Sequence, residues 1–244
     1  PTTIRLGPFG EGSIQAFVDA DFAEYTLLQS GTLQVVHGAT TTWTYGDATQ
    51  LATLTVDDDE GVLWVYDNQT TSPFSGRLLR IDSAMGQETA ASAPLVSYGA
   101  PAIDHARGLL YVPGHQSNVL GIFDRSTGAF EQAIPLGARV QTVLVTDRGV
   151  VVSHGVDSSV SLYDPDTWDV LQTWDLLVDT GTGTSQVSAE GLYWDANHCW
   201  AWVVGANYTM DRGAAWALDP DTGEVRDQLD LYSPVRFFDV GFPP

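Results

Sequence analysis

One short phrase recurs six times along this chain: an apolar run that stops at an aspartate. The copies are Ala16-Phe17-Val18-Asp19, Leu54-Thr55-Val56-Asp57, Pro101-Ala102-Ile103-Asp104, Leu144-Val145-Thr146-Asp147, Leu192-Tyr193-Trp194-Asp195 and Arg236-Phe237-Phe238-Asp239. Successive aspartates stand 38, 47, 43, 48 and 44 residues apart. After each of the first five comes a short gap and a second apolar run, clearest in Gly61-Val62-Leu63-Trp64-Val65 and Gly108-Leu109-Leu110-Tyr111-Val112. A unit this small has no core of its own, so it must bury its apolar faces against its neighbours.

Each repeat divides into four strand-like pieces separated by Gly, Asp, Asn, Ser and Pro. In the third repeat they run 99–104, 109–112, 119–124 and 130–136, and in the fourth 140–146, 150–153, 160–164 and 170–176. The first repeat diverges most, with later strands at 25–28, 33–36 and 42–45. A second marker supports the division. The third strand ends in Asp82, Asp124, Asp164 and Asp219, and a glycine follows four residues on at Gly86, Gly128 and Gly223. That is hairpin chemistry in which the last turn residue needs positive φ; Trp168 holds the equivalent place in the fourth repeat. A period in the forties of four short strands predicts an all-β fold, a β-propeller of four-stranded antiparallel blades. Residues 1–244 read as one such domain, a processed or excised part of a longer chain, since the sequence begins at Pro1. Five blades are complete. Thr2 to Leu6 reads as an orphan outer strand and Val235 to Asp239 as an orphan inner strand, so a six-bladed ring closed by pairing the termini is expected, with a five-bladed ring as the alternative.

The third and fourth repeats resemble the YVTN-type β-propeller family of surface proteins. The likeness rests on Leu110-Tyr111-Val112-Pro113-Gly114-His115-Gln116-Ser117-Asn118-Val119-Leu120-Gly121-Ile122-Phe123-Asp124 with Thr127-Gly128. It recurs in Val151-Val152-Ser153-His154-Gly155-Val156-Asp157-Ser158-Ser159-Val160-Ser161-Leu162-Tyr163-Asp164, and in Ala214-Ala215-Trp216-Ala217-Leu218-Asp219 with Thr222-Gly223. These motifs are structural. The resemblance implies secreted or cell-surface recognition and, superficially, a lactonase-like propeller, but it carries no catalytic residue over to this chain.

Charge narrows the partners. The chain has 31 acidic residues against 10 basic ones, all arginine, for a net charge of -21. Such a surface repels phosphates and anionic lipid, which argues against nucleic acid and membrane-surface partners. The acids are spread along the chain, as expected of a solvation shell suited to high salt or the cell exterior. No apolar run reaches the roughly 18–20 residues a membrane helix needs. A protein or carbohydrate partner, or a place as a subunit in a larger surface assembly, is therefore expected, and the extracellular space or cell surface is the expected location.

In a propeller the entries to the inner strands and the loops between second and third strands share one face, the default ligand site. The entries would supply Glu11, Tyr98, Arg139, Gln141, Glu190 and Arg236, and the loops Asp67, Asn68, His115, His154, Asp157, Asn207 and Asp211. Two Arg among two Glu disfavour a tight divalent site. His115 and His154 hold equivalent places in adjacent repeats and could serve as base or metal ligands, but polar turn residues in solvent are the expected reading. Asp57-Asp58-Asp59-Glu60, Asp164-Pro165-Asp166-Thr167-Trp168-Asp169 and Asp219-Pro220-Asp221-Thr222-Gly223-Glu224 lack the twelve-residue calcium pattern. No cofactor is expected, a weakly held surface calcium being the alternative. Cys199 is single and reads as a buried structural thiol, with His198 alternating to the opposite strand face. Asn68-Gln69-Thr70 and Asn207-Tyr208-Thr209 fit the glycosylation acceptor pattern. Strand tryptophans such as Trp64, Trp174 and Trp216 are expected in the packing between repeats, and Trp43 and Trp168 in exposed contacts. The expected function is a non-enzymatic binding or structural module, the alternative a lactonase-like hydrolase using the same mouth.

Overall fold

The computed structural model describes residues 13–18, 23–28, 33–37, 40–45, 51–69, 75–92, 100–114, 118–155, 157–179, 184–195, 197–207 and 212–231. These residues form five four-stranded sheets and one two-stranded ribbon. The first sheet is β1–β4 (Ser13–Val18, Ala23–Leu28, Leu33–His37, Thr40–Tyr45) and the second β5–β8 (Leu51–Asp57, Val62–Gln69, Ser75–Asp82, Glu88–Ala91). The third is β9–β12 (Ala102–Asp104, Leu109–Gly114, Val119–Asp124, Phe130–Pro135) and the fourth β13–β16 (Val140–Thr146, Gly149–His154, Ser159–Tyr163, Val170–Asp175). The ribbon is β17–β18 (Leu177–Asp179, Thr184–Gln186), and β19–β22 (Ser188–Asp195, Trp200–Asn207, Arg212–Leu218, Val225–Leu231) complete the fifth sheet. Every sheet keeps its strands in chain order, each beside the next, which is the simple meander that short hairpin turns enforce. No sixth four-stranded sheet forms among the described residues, and both terminal strands of the expected six-bladed ring lie outside them. The segment read as a loop insertion at 178–185 is instead the ribbon.

The chain divides into two compact units, residues 1–112 with 121–133, and residues 113–120 with 134–242. In the first, a buried cluster joins Val62, Trp64 and Leu78 to Leu110, Val112 and Phe123. In the second, Val151, Val160, Leu162 and Trp174 pack with Ala201, Val203, Ala214, Trp216 and Leu218. Second strands are the most apolar and the most enclosed: all six residues of β14 are buried. Fourth strands carry the polar residues and face solvent, as β12 does along nearly its whole length.

The aspartates that end the first strands act as turn formers where they are buried. Asp57, Asp104 and Asp195 are at most 2% exposed. One carboxylate oxygen of each accepts a backbone N–H two or three residues on: Glu60 at 3.4 Å, Arg107 at 2.9 Å, Asn197 at 3.0 Å. The other oxygen takes a second partner, which satisfies the buried charge. Asp57 takes the Arg125 guanidinium through Nε at 2.6 Å and also through Nη2, Asp104 takes Tyr111 Oη at 3.2 Å, and Asp195 takes His198 Nδ1 at 2.6 Å. Asp147 is the exception. Its hairpin closes in two residues on Thr146 and Gly149, so Asp147 sits at an exposed tip with nothing to cap.

The third-strand aspartates build the second kind of turn. Asp82, Asp124, Asp164 and Asp219 each accept backbone N–H groups at the turn's start with one carboxylate oxygen. Their carbonyls receive the N–H of the residue four on, from Gly86, Gly128, Trp168 and Gly223 at 2.8–2.9 Å. Gly86, Gly128 and Gly223 have φ of 67°, 70° and 74°, and Trp168 adopts the same left-handed conformation at 63°. A side chain there costs about 1–2 kcal/mol. The half-buried Trp168 ring lies 6.4 Å from that of Tyr163.

Candidate functional site

The end of each sheet where first strands begin and second strands finish differs from the turn end. Four of the five first strands carry a β-bulge there, leaving Ile14, Ala52, Gln141 and Glu190 as the extra residues. A bulge bends its strand and re-aims one side chain, which is why bulges gather beside functional sites. Two of the four are residues that the sequence reading places at the mouth.

The fourth and fifth sheets bring this end into view. Their first strands, β13 and β19, run beside each other. A Cβ built on Gly155, just past β14, would lie 3.0 Å from Gln141 Oε1 and 3.3 Å from Ser188 Oγ. The bulged glutamine of one sheet and the serine of the next therefore converge over a glycine whose missing side chain leaves them room. Neither the Gln141 amide nor the Ser188 hydroxyl is hydrogen-bonded to another described residue. Arg139 is half-buried and Asp157 exposed beside them in sequence. Ser158, which closes the loop after Asp157, is buried with φ of 53°, a strained backbone of the kind that clusters at functional sites. The ribbon stands on the same end: Asn207 Nδ2, at the finish of β20, donates to Ser185 Oγ and to the Gln186 carbonyl, both at 2.9 Å. Glycosylation of Asn207 would have to break both bonds.

His154 does not belong with this cluster. Strand alternation sends it to the face opposite Ser153 and Gly155, where it is 2% exposed. Its Nε2 lies 3.2 Å from Tyr163 Oη, with the rings edge to face. Burial pushes the imidazole below its ordinary pKa, against the opposing pull of Asp157 and the Arg139 backbone. The expected solvent-exposed turn histidine is thus a core histidine, because β14 runs one residue further than the sequence division allows. Asp67 is likewise buried, held by Arg77 Nε at 3.3 Å. Cys199 corrects a further expectation: it is exposed, in a turn with φ of 56°. His198 precedes it in that turn, not in a strand, and stacks on Trp200 at 4.8 Å. Asn68 pairs with Gly76 in the β6–β7 ladder. Glu11, Tyr98, His115, Asp211 and Arg236 lie outside the described residues. Among the described residues no three His, Cys, Asp or Glu side chains gather as a metal set, and no helix is long and apolar enough to cross a membrane.

No protein-family model matches the sequence, and no curated protein does. Solved structures do resemble the fold. A protein of unknown function from Bacteroides caccae superposes with a TM-score of 0.65 at 12% identity, over 98% of this chain and 96% of that one. The Pan2 WD40 domain of Neurospora crassa gives 0.63 at 12% identity, over 93% and 70%. The fold is a β-propeller. Hydrazine synthase of Kuenenia stuttgartiensis gives 0.62 at 11% identity over 80% of this chain, which spans about half (52%) of that one. Identities this low establish the propeller architecture and leave function to the site. In propeller terms the four bulges mark inner-strand entries, and Gln141, Ser188 and Gly155 lie at the mouth end of two adjacent blades. Regular repeats of Asp and Gly could be read from the sequence; the convergence over Gly155 could not, although a glycine directly after a second strand was its available signal.

Proposed function

We propose that this chain is a non-enzymatic, extracellular or cell-surface β-propeller of the YVTN type, a recognition module that binds a protein or carbohydrate partner at the mouth end of its blades. The observation that carries the reading is the pairing of bulged Gln141 with Ser188 over Gly155, two polar side chains aimed together with no hydrogen-bond partner among the described residues. An amide and a hydroxyl recognise by directional hydrogen bonds, and Asp157 and Arg139 add one charge of each sign. This set suits a polar partner surface such as a peptide backbone or a sugar hydroxyl. The net charge of -21 supports the exterior location, where a charged, highly solvated surface favours a dispersed protein. The turn geometry at Asp124–Gly128 and Asp219–Gly223 supports the YVTN likeness, since the Thr-Gly of that pattern falls on the left-handed position.

The test is a binding screen of the full chain against glycans and surface-protein fragments, repeated with Gln141→Ala and Ser188→Ala. Loss of the selected partner in both variants, at unchanged urea midpoint, supports the reading. Lactone or ester turnover by the wild-type chain that falls in the same variants would replace it with the hydrolase alternative, and binding indifferent to both substitutions would move the site elsewhere.

A further inference from the structure

The turn end of the fourth and fifth blades holds a groove that the mouth reading does not use. It encloses about 290 Å³, with Leu162, Leu171 and Pro220 as its apolar lining and Arg148, Gln172 and Asp221 among its polar residues. Leu162 is 2% exposed and belongs to the core between these two blades, whereas Leu171 is 52% exposed. The reason is a bulge: Leu162 pairs with Gln172 and Tyr163 with Val170, so Leu171 is the extra residue. The equivalent bulge residue is Thr89 in the second blade and Arg226 in the fifth. Both have polar partners, Thr89 with Arg80 and Arg226 with Asp219. Only the fourth of these three blades puts a bare leucine there, and the same turn is the one that carries Trp168 in place of glycine. Leu171 thus leaves about half its surface in water where the other two blades place polar side chains, just past the turn that holds Trp168 at positive φ.

Charge selects the occupant. Arg148 crosses to Asp221 and forms an exposed ion pair, which contributes little in water and yields to a competing ion. Asp147, beside Arg148, and Asp169, two residues before Leu171, are exposed and have no side-chain partner among the described residues. We propose that this groove docks an extended, basic segment of a partner protein, one that presents an aliphatic side chain flanked by lysine or arginine. The aliphatic group seats on Leu162, Leu171 and Pro220, and the flanking cations lie by Asp147, Asp169 and Asp221.

The probe is the peptide Ac-Gly-Lys-Leu-Lys-Gly-amide, titrated onto the full chain and followed by backbone amide shifts. Saturable shifts at residues 147–149, 169–172 and 220–223 are expected. Leu171→Ser should weaken binding about tenfold, the worth of one buried leucine contact, and Asp147→Asn with Asp169→Asn should weaken it further and flatten its salt dependence. Leu171 is exposed, so an unchanged urea midpoint will show that its variant is folded. The proposal is overturned if the serine-centred or glutamate-flanked peptide binds equally well, if no shift saturates at millimolar peptide, or if Gln141→Ala abolishes binding, which would put the peptide at the mouth.

Discussion

The two ends of the fourth and fifth blades use the same residue types for opposite purposes. At the turn end, Asp195 and Asp219 spend their carboxylates on backbone N–H groups and on a side chain of their own blade, His198 and Arg226. At the mouth end, Gln141 and Ser188 meet over Gly155 without such partners. Repetition explains the first end: the Asp-capped turn formed at Asp57 recurs at Asp104 and Asp195, so the sequence repeats it. Irregularity marks the second, where the bulges displace side chains that the ladder no longer needs. The contrast makes a quantitative claim. Substitutions at the turn end and between blades should cost stability, and substitutions at the mouth should cost binding alone.

The strongest test of that contrast is Asp57→Ala. The change leaves the Arg125 guanidinium, 9% exposed, without its main partner and with only the more distant Asp59 and Glu60 carboxylates at 3.8 and 3.9 Å, so the loss should approach the ~3–5 kcal/mol of a broken buried pair. Asp57 also holds the Arg125 pKa above its ordinary value, chiefly by hydrogen bonding and then by charge, against the effect of burial. In urea unfolding the double variant Asp57→Ala with Arg125→Met should lose less than the single Asp57→Ala, since it removes the orphaned charge. Equal losses would show that the pair contributes through caps and packing, not through charge.

A smaller effect compares two turns. Gly223→Ala forces a Cβ into φ of 74° and to within 2.9 Å of the Gln172 amide group, so a loss of about 1–2 kcal/mol is expected. Trp168→Gly removes the same strain at φ of 63° but forfeits the contact with Tyr163. Its unfolding midpoint should move by less than that of Gly223→Ala. A large loss at Trp168 would mean that the ring holds the turn together, and would weaken the case that this turn departs from the repeat for binding.

Much of the turn end was legible before any coordinates. Among the described residues, the Asp-terminated strands at Asp57, Asp104 and Asp195 and the three Asp-to-Gly spacings mark where the chain reverses, because backbone N–H groups and positive φ demand specific residues. What was not legible depended on single-residue register. One extra residue at Gln141 leaves no trace in an apolar pattern, yet it re-aims the side chain. His154 was misplaced for the same reason: its strand continues past Ser153, and alternation then buries it. Cys199 followed a mistaken strand start at His198, where a left-handed turn leaves the thiol outside. The ribbon at 177–186 has too few residues per strand to show periodicity.

Acid offers a way to separate the buried groups. His154 has its pKa lowered by burial, so the folded chain binds its proton less readily than the unfolded one. Stability is full above the ordinary value near pH 6.5 and should decline as pH falls below it, a slope that His154→Gln removes. Asp219 acts lower. Burial raises its pKa, but hydrogen bonds from Arg226 and from the Asp221 and Thr222 backbone outweigh this and hold the carboxyl at about 2. Its contribution is present above about pH 4 and fades toward pH 2. Urea midpoints across this range should show two steps, the first absent in His154→Gln and the second reduced in Arg226→Gln.

The smallest expected stability change is the most informative about function. Gln141→Ala and Ser188→Ala remove polar atoms that have no partner among the described residues, so neither should shift the urea midpoint by more than about 0.5 kcal/mol. Gly155→Ala probes the same spot by filling it. Its Cβ would press against Gln141 Oε1 and Ser188 Oγ at 3.0 and 3.3 Å, and the glutamine can yield because its amide is the far end of a flexible side chain. The methyl group then occupies the space a ligand group would need. Binding should therefore fall in all three variants while stability stays level. If Gly155→Ala instead unfolds the chain as readily as Gly223→Ala does, the cluster over Gly155 is packing, and the difference between the two ends of these blades disappears.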